Sequence, residues 1–510
     1  MKKIKWFLLF IILSIAFLLG ARMILSGSFF YLYDQARDYL LVKDVVVNHT
    51  LMLIGNRSGL GGFFHGPLWI YAIAPIYALT RGNPFGLAYF YIGLQLFTVF
   101  VGYLVGSKLY GNKGGLLIAL LIALSPATWS PVVNTVSADA EPLVYLAIFY
   151  FLVRFLRGDT KSFILAAFFT GLAFQFETAS SLALLPTVFV MFFFGKKAYR
   201  NIKVILLSLV SFLLSLTSFI LFDLRHKFLM TNSILGAFSG GAKGNGYMDL
   251  STRIVSHFSG LVTAYQDPLF NQNILLVLLF AAIVIFALVL IIKNKKYEYR
   301  KEFFLLLLFP AIFFAFFIFY AYPVWPEYVF GLLIPVTFAF GIAMREVWKN
   351  VFGKALVVLF FLVTILNVSV YLHNQYLVKY QANDTAGSYK SQQALVEWIY
   401  KNSGSGKFGY FVYTPEIFTD GMDYLFYWYG KKNPSTIFEN KKDLATYLIM
   451  YPHLANDNGA YNFWKKNVLH TQGKIMETKV FQSGITVEKL SIQNPEPPVD
   501  PNYYQGLIFR

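Results

Sequence analysis

Two carboxylates near the N-terminus have a spacing that could support chemistry. Asp34 and Asp38 lie in the segment YDQARD, so a helix there would place both on one face, with Arg37 between them. Asp34 follows directly after a long apolar run. A partly desolvated carboxylate of this kind suits a general base or a metal ligand. The alternative is a solvated interfacial helix in which the Asp is an N-cap.

Further ionisable side chains occur at the ends of other apolar runs. They are His65, Asp139, Glu141, Glu177, Asp223, Arg225, His226, Lys227 and Glu327. Each has a simple explanation on its own, as a helix cap, a snorkelling side chain or a local ion pair. Ionisable groups at membrane depth are costly, however, and by default indicate a functional site. On a common side of a membrane, the carboxylates could activate a hydroxyl while Arg and Lys hold a phosphate.

The elements that must position these groups are membrane-spanning helices. Hydrophobic residues make up 57% of the 510 residues and charged residues only 14%, well below the roughly 25% of a soluble domain. Apolar runs near the roughly 20 residues that cross a bilayer recur along the chain. We predict eleven spans, at residues 6–28, 84–106, 114–131, 137–153, 162–176, 179–195, 203–223, 272–292, 303–321, 326–344 and 353–373.

The positive charges indicate how these spans are oriented. With the N-terminus inside, the inner segments hold 20 Lys and Arg, whereas the outer loops up to residue 271 hold eight. Residues 67–80 then stay on the outer face as a short surface or re-entrant segment, because counting them as a span would swap the sides of every later loop. The net charge of +17 is therefore explained by cytoplasmic loops, and we expect no nucleic-acid partner.

The chain divides into two predicted domains. Residues 1–373 predict an all-α polytopic membrane domain. Its first outer loop, 29–83, carries juxtamembrane helices, and a second large outer loop covers 224–271. Residues 374–510 become polar and predict a small α/β domain on the outer side.

Three patterns support the α/β prediction for the C-terminal domain. Ser388–Asn402 has helical spacing, with apolar residues on one side. Lys407–Tyr413 predicts a strand, and Lys474–Ser491 predicts two strands joined at Ser483–Gly484.

Seven segments along the chain occur in an order that is typical of a known protein family. They are YDQARD, FFHGPLWIYAIAPIYAL, LSPATWSPVVNTVSADAEP, GLAFQFETASSLALLP, LFDLRHKFL, WPEYVFGLLIP and VYTPEIFTDGMDYLFYWYG. In this order and sidedness the chain resembles the GT-C superfamily of polytopic glycosyltransferases. The nearest branch contains protein O-mannosyltransferases, aminoarabinose transferases and bacterial transferases of lipopolysaccharide core sugars. The resemblance covers most of residues 1–373.

The resemblance implies a polyprenyl-phosphate sugar donor, an outward-facing active site and an Asp base in the first outer loop. Carried over, the base is Asp34, with Asp38 as the alternate. A second outer acidic residue, linked to a metal or to the acceptor, corresponds to Asp139 or Glu141, so a divalent metal is a candidate cofactor. Glu177 departs from the pattern, because relatives often have His or Lys there.

The remaining polar groups are assigned by their predicted place at the outer surface. We expect the donor phosphate to bind Arg225 and His226, with Arg22 as a third candidate, and the substrate or acceptor to contact Glu177, His65 and Glu327.

The first functional hypothesis is an inverting glycosyl transfer in the plasma membrane, from a lipid-linked donor to an acceptor hydroxyl on a glycan, lipid or protein. The second is a transporter or flippase, and the third is a non-catalytic scaffold. A transporter needs polar residues along its helices at mid-depth. Here the middle of each apolar run is almost wholly apolar and the polar groups gather at the outer ends, which favours the enzyme.

The orientation can be tested by cysteine labelling, because the chain contains no Cys. Cysteines replacing Lys161, Lys197 or Lys296 should resist an impermeant thiol reagent added outside, whereas positions after Asn374 and at Asp34 should react, because the basic segments remain cytoplasmic. Outside labelling at position 197 would contradict the predicted topology.

Overall fold

The computed structural model describes most of the chain. The described residues are 2–58, 63–129, 136–195, 201–238, 248–270, 273–294, 296–320, 322–376, 385–404, 406–414, 418–452, 458–493 and 495–504. Lys197, one of the positions used for the predicted topology, lies outside them.

The first part of the chain is helical. Its helices up to the second large outer loop are α1 (Lys2–Leu25), α2 (Tyr33–Val46), α3 (Leu68–Leu79), α4 (Phe85–Leu124), α5 (Pro126–Trp129), α6 (Glu141–Leu156), α7 (Lys161–Ala173), α8 (Thr178–Phe193), α9 (Ile202–Ser215) and α10 (Thr217–Arg225). Those that follow are α11 (Leu229–Phe238), α12 (Leu250–Phe270), α13 (Ile274–Lys293), α14 (Arg300–Phe317), α15 (Leu333–Val347) and α16 (Val351–Tyr376). Short 3₁₀ helices occur at Ser137–Ala140 and Pro326–Leu332.

The helices make this a multi-pass membrane protein, and each of the eleven predicted apolar segments is at least partly helical. Among the described residues, five helices are long and apolar enough to cross a membrane, or six if the bent pair α9 and α10 forms one span. The count of eleven is therefore not confirmed. One reason concerns α4, which non-helical backbone at Gly111 (φ 80°, ψ 168°) divides into two helical parts. The predicted spans 84–106 and 114–131 fall in these two parts, but the second part already ends at Leu124. Another is that α7 and α8 have only 13 and 16 residues.

The first outer loop carries two short helices, as predicted. In α2 the side chain of Gln35 accepts a hydrogen bond from the backbone N–H of Leu32 (2.8 Å), which secures the start of the helix. Helix α3 has 12 residues and a proline at position 75. At 1.5 Å per residue it is about 18 Å long, well short of the roughly 30 Å hydrocarbon core.

The C-terminal part is a small α/β domain. Its elements are α17 (Tyr389–Ser403), β1 (Gly406–Tyr413), α18 (Asp420–Gly430), β2 (Thr436–Glu439), β3 (Ala445–Met450), α19 (Asn458–Phe463), a π-helix at Trp464–Val468, β4 (Lys474–Val480), β5 (Thr486–Ser491) and a 3₁₀ helix at Pro501–Tyr504. The strand order is β2-β1-β3-β5-β4. Strand β1 is parallel to β2 and β3, and β5 is antiparallel to β3 and β4.

The C-terminal domain packs on the first outer loop. The amide of Gln392 donates a hydrogen bond to the carbonyl of Tyr31 (2.6 Å). The hydroxyl of Tyr424, on α18, donates to the carbonyl of Gly82. Helix α18 also packs along α2. The domain therefore covers the helix that carries Asp34.

The second large outer loop contains a helix that the sequence patterns did not predict. Helix α12 packs along α14, where Gly260 lies against the ring of Phe314 and the hydroxyl of Tyr265 donates to the carbonyl of Leu307. Polar residues recur along α12, so its apolar face is too narrow to register as a continuous hydrophobic run.

Candidate active site

The pair Asp34 and Asp38 lies on α2 with Arg37 joining the two carboxylates. Arg37 Nη2 is 2.7 Å from Asp34 Oδ1 and 3.4 Å from Asp38 Oδ1. The second oxygen of Asp38 accepts a hydrogen bond from the indole N–H of Trp69 (2.7 Å). The side chain of Asp34 is 23% exposed, whereas that of Asp38 is 1% exposed. Only Asp34 is therefore open to a substrate.

Burial acts strongly on Asp38. It raises the pKa of this carboxyl to about 6, although Arg37 and the hydrogen bond from Trp69 work in the opposite direction. Asp38 is thus held by two partners inside the protein, and its geometry fixes Arg37 beside Asp34.

His65 and Glu177 form a second buried pair. His65 Nε2 is 3.8 Å from Glu177 Oε2, and the backbone N–H of Thr178 donates to His65 Nδ1 (3.3 Å). With Nδ1 accepting, the proton of the neutral ring is assigned to Nε2, which faces Glu177. Glu177 also caps α8 by accepting from the N–H of Ala179 (3.1 Å).

The charge state of this pair follows from its burial. Burial and, to a smaller extent, the charge of Arg37 lower the pKa of His65 to about 3. Burial raises the pKa of Glu177 to about 8. At neutral pH both groups are therefore mostly uncharged, and the contact is a neutral polar one.

Several outer carboxylates share one electrostatic environment. The charges of Glu327 and Asp34 both raise the pKa of Glu177. Burial and Asp423 raise the pKa of Asp420 to about 6, and the charges of Arg37 and Asp34 also act on this group. Four acidic side chains from α2, the start of α8, the 3₁₀ turn before α15 and α18 thus face a common region.

Asp420 is the member of this group that sequence reasoning missed. It begins α18 in the C-terminal domain, and the ring of Phe418, two residues earlier, stacks on that of Tyr33 with centroids 5.1 Å apart. The motif TDGMD at a helix start was the available signal, but only the docking of two distant segments brings Asp420 near α2.

Asp139 and Glu141 serve local structure. Asp139 accepts a hydrogen bond from the N–H of Val136 (2.8 Å), and Glu141 accepts from the hydroxyl of Ser180. Among the described residues, no three His, Asp or Glu side chains assemble a group that could hold a metal ion. No step proposed below uses a metal.

Arg225 and His226 lie at the end of α10 near the His65 segment. The ring of His226 stacks on Phe222 (4.1 Å), and Phe222 packs edge-on against Phe64 (5.7 Å), the neighbour of His65. The side chain of Arg225 is exposed.

Two further observations concern the residues predicted to bind the donor phosphate. Asp223 does not pair with Arg225 in the described structure, because its carboxylate accepts from the N–H groups of Met230 (2.7 Å) and Thr231 (3.0 Å) at the start of α11. Arg22 lies in the last turn of α1 and is half-buried.

A buried glutamine connects these parts. Helices α9 and α10 meet at a 64° bend, and the amide of Gln175 donates to the carbonyl of Ser215 (2.9 Å) and the hydroxyl of Ser218 (3.2 Å) at that bend. Gly66 lies so close that a Cβ there would be 1.9 Å from Gln175 Oε1. Gln175 therefore ties the bend that leads to Arg225 to the segment that carries His65.

Comparison with known proteins identifies the fold. No family model matches the chain, and no curated protein matches it significantly in sequence. The chain is similar to ArnT from Cupriavidus metallidurans bound to undecaprenyl phosphate, with 12% identity, a TM-score of 0.60 and coverage of 95% of this chain and 97% of that one. The apo state of ArnT matches with 12% identity, a TM-score of 0.60 and coverage of 96% and 98%. An oligosaccharyltransferase from Archaeoglobus fulgidus, in complex with Zn and sulfate, matches with 12% identity, a TM-score of 0.49 and coverage of 82% and 61%.

The coverage of ArnT includes both parts of the chain, the helical membrane part and the C-terminal α/β domain. The predicted fold class, an all-α membrane part followed by a small α/β domain, is therefore confirmed, and the chain shares this fold with ArnT.

The role of Gln175 can be tested by its removal. Gln175→Leu keeps the size of the side chain but removes both hydrogen bonds at the α9–α10 bend, and should lower the free energy of unfolding by roughly 1–2 kcal/mol. Denaturant unfolding of the purified protein measures this change. Gln393→Leu is the control, because Gln393 bonds only to Glu397 one turn away on α17. Equal stability of the Gln175 and Gln393 variants would show that the hydrogen bonds of Gln175 at the α9–α10 bend do not stabilise the protein.

Proposed function

We propose that this protein is a membrane glycosyltransferase, which moves a sugar from a polyprenyl-phosphate donor to an acceptor hydroxyl on the outer face of the plasma membrane. The observation that carries the proposal is the partly exposed Asp34, ion-paired with Arg37 directly after the first apolar helix and beneath the C-terminal domain. The fold shared with ArnT, which was solved bound to undecaprenyl phosphate, supports the choice of donor. No contact among the described residues specifically favours a flippase.

Asp34 is proposed to act as the general base. Arg37 holds the side chain of Asp34 in an ion pair, and the partial exposure of Asp34 allows an acceptor hydroxyl to approach. As the hydroxyl oxygen forms a bond to the anomeric carbon, its proton passes to Asp34. The bond from that carbon to the phosphate oxygen breaks, and its electron pair leaves with the polyprenyl phosphate. Attack opposite the leaving group inverts the anomeric centre.

Asp38 is proposed to position the base and not to contact the substrate. It is buried, and its two oxygens are used by Arg37 and Trp69. Asp38 therefore fixes the position of Arg37, whose guanidinium holds Asp34 in one orientation.

Arg225 and His226 are proposed to bind the donor phosphate, with Arg22 as a further candidate. The exposed guanidinium of Arg225 can make two hydrogen bonds to phosphate oxygens. His226 lies behind it on Phe222, whose packing on Phe64 keeps α10 beside the His65 segment. A phosphate there would leave its sugar facing the carboxylate group around Asp34.

Glu177, His65 and Glu327 are proposed to line the sugar or acceptor site. The mostly protonated Glu177 can donate a hydrogen bond as well as accept one, which suits recognition of sugar hydroxyls. The assignment of Asp139 and Glu141 to a metal stays a prediction.

The mechanism predicts a large effect of Asp34→Asn. The amide keeps the shape of the side chain but cannot accept the proton, so the transfer rate should fall about 10²–10⁴-fold while donor binding persists. Radiolabelled sugar transfer in proteoliposomes measures the rate. Asp249→Asn is the matched control, because this exposed Asp only caps α12, which Asn does equally well.

The companion variant Asp38→Asn separates the two carboxylates. It should lose less activity than Asp34→Asn, because Asp38 acts only through Arg37. If Asp38→Asn were inactive and Asp34→Asn fully active, Asp38 would be the general base and Asp34 the positioning residue. Full activity of both variants would refute the mechanism.

The phosphate assignment predicts a binding defect in Arg225→Ala. Loss of the guanidinium should weaken binding of polyprenyl phosphate roughly tenfold, with a smaller change in the rate at saturating donor. Titration of the purified protein with a short-chain polyprenyl phosphate measures this affinity. Lys301→Ala, which removes an exposed cation on α14, should have little effect. Unchanged donor affinity in Arg225→Ala would show that Arg225 does not bind the donor phosphate.

A further inference from the structure

An apolar groove lies far along the helices from the carboxylates. It has a volume of about 680 Å³ and runs between α4 just after its bend at Gly111, the second half of α15 and the first half of α16. Leu117, Ile118, Phe338 and Phe361 form its walls. The proposed transfer reaction uses no residue of this groove.

The mouth of the groove carries two cations. Lys113 and Arg345 line it, and both side chains are exposed. Arg345 lies over the ring of Tyr299 (4.8 Å from its centroid) and donates to the carbonyl of Tyr110 (3.4 Å). Within the described part of the chain, neither cation is ion-paired with a carboxylate. The mouth therefore presents positive charge that the protein does not neutralise.

The groove has the depth of one membrane leaflet. Along α15, Phe338 lies ten residues before Trp348 at the mouth. At 1.5 Å per residue, this distance is about 15 Å. Half of a roughly 30 Å hydrocarbon core is also about 15 Å. The groove is therefore about as long as one leaflet is deep.

We propose that this groove binds an anionic phospholipid of the leaflet that its mouth faces, which the charge distribution assigns to the cytoplasm. Lys113 and Arg345 contact the headgroup phosphate, and one acyl chain fills the groove between α4, α15 and α16. Exposed Trp348 lies at the level of the headgroups, where Trp is favoured. Uncompensated charge selects an anionic headgroup over a zwitterionic one, and the depth matches a lipid chain.

The test uses the full-length protein in nanodiscs. Native mass spectrometry would measure how much phosphatidylglycerol is retained in competition with phosphatidylcholine. The double variant Lys113→Gln/Arg345→Gln should weaken phosphatidylglycerol binding roughly 30-fold, because each cation near a lipid surface contributes about fivefold and the two factors multiply. The control Lys301→Gln/Lys354→Gln removes two exposed cations outside the groove and should retain the lipid.

Two further experiments separate the contribution of the lipid's acyl chain from that of its headgroup. Leu117→Trp fills the groove without changing charge and should also reduce phosphatidylglycerol retention. Soluble glycerol phosphate should not bind detectably, because it has no acyl chain. Equal retention of both lipids by the wild type, or unchanged retention by the double variant, would overturn the proposal.

Discussion

The rest of the structure depends on the ion pair between Asp34 and Arg37 on α2. Arg37 also contacts Asp38, whose second oxygen accepts a hydrogen bond from the indole N–H of Trp69, so the buried side of the pair is held in place. This chain of contacts joins α2 to α3 and fixes the first outer loop. The remaining outer elements are arranged around it.

Those elements enclose the region from three sides. The C-terminal domain covers α2 through α18 and brings Asp420 near Arg37 and Asp34. The start of α8 supplies Glu177 against His65, in a contact that burial keeps uncharged at neutral pH. Gln175 bends the path of α9 into α10, so that a lipid-facing helix ends beside the same segment.

Much of this could be predicted from local patterns. The helix at Tyr389–Ser403 and the β4–β5 hairpin each follow from spacing within one segment, and the structure confirms both elements. Helix α12 escaped prediction because its apolar face is interrupted. The partners of Asp38 and Gln175, and the approach of Asp420, depend on contacts between segments far apart in sequence, which no single segment encodes. The number of spans was not confirmed, because an apolar run in the sequence can form a bent or a short helix and need not form one straight helix that crosses the membrane.

The most direct measurement is a cryo-EM structure of the protein with bound polyprenyl phosphate. The phosphate should contact Arg225 and His226, with space for one sugar ring between it and the carboxylate of Asp34. A phosphate bound where no donor sugar could reach Asp34, such as the groove beside Lys113 and Arg345, would contradict the proposed active site.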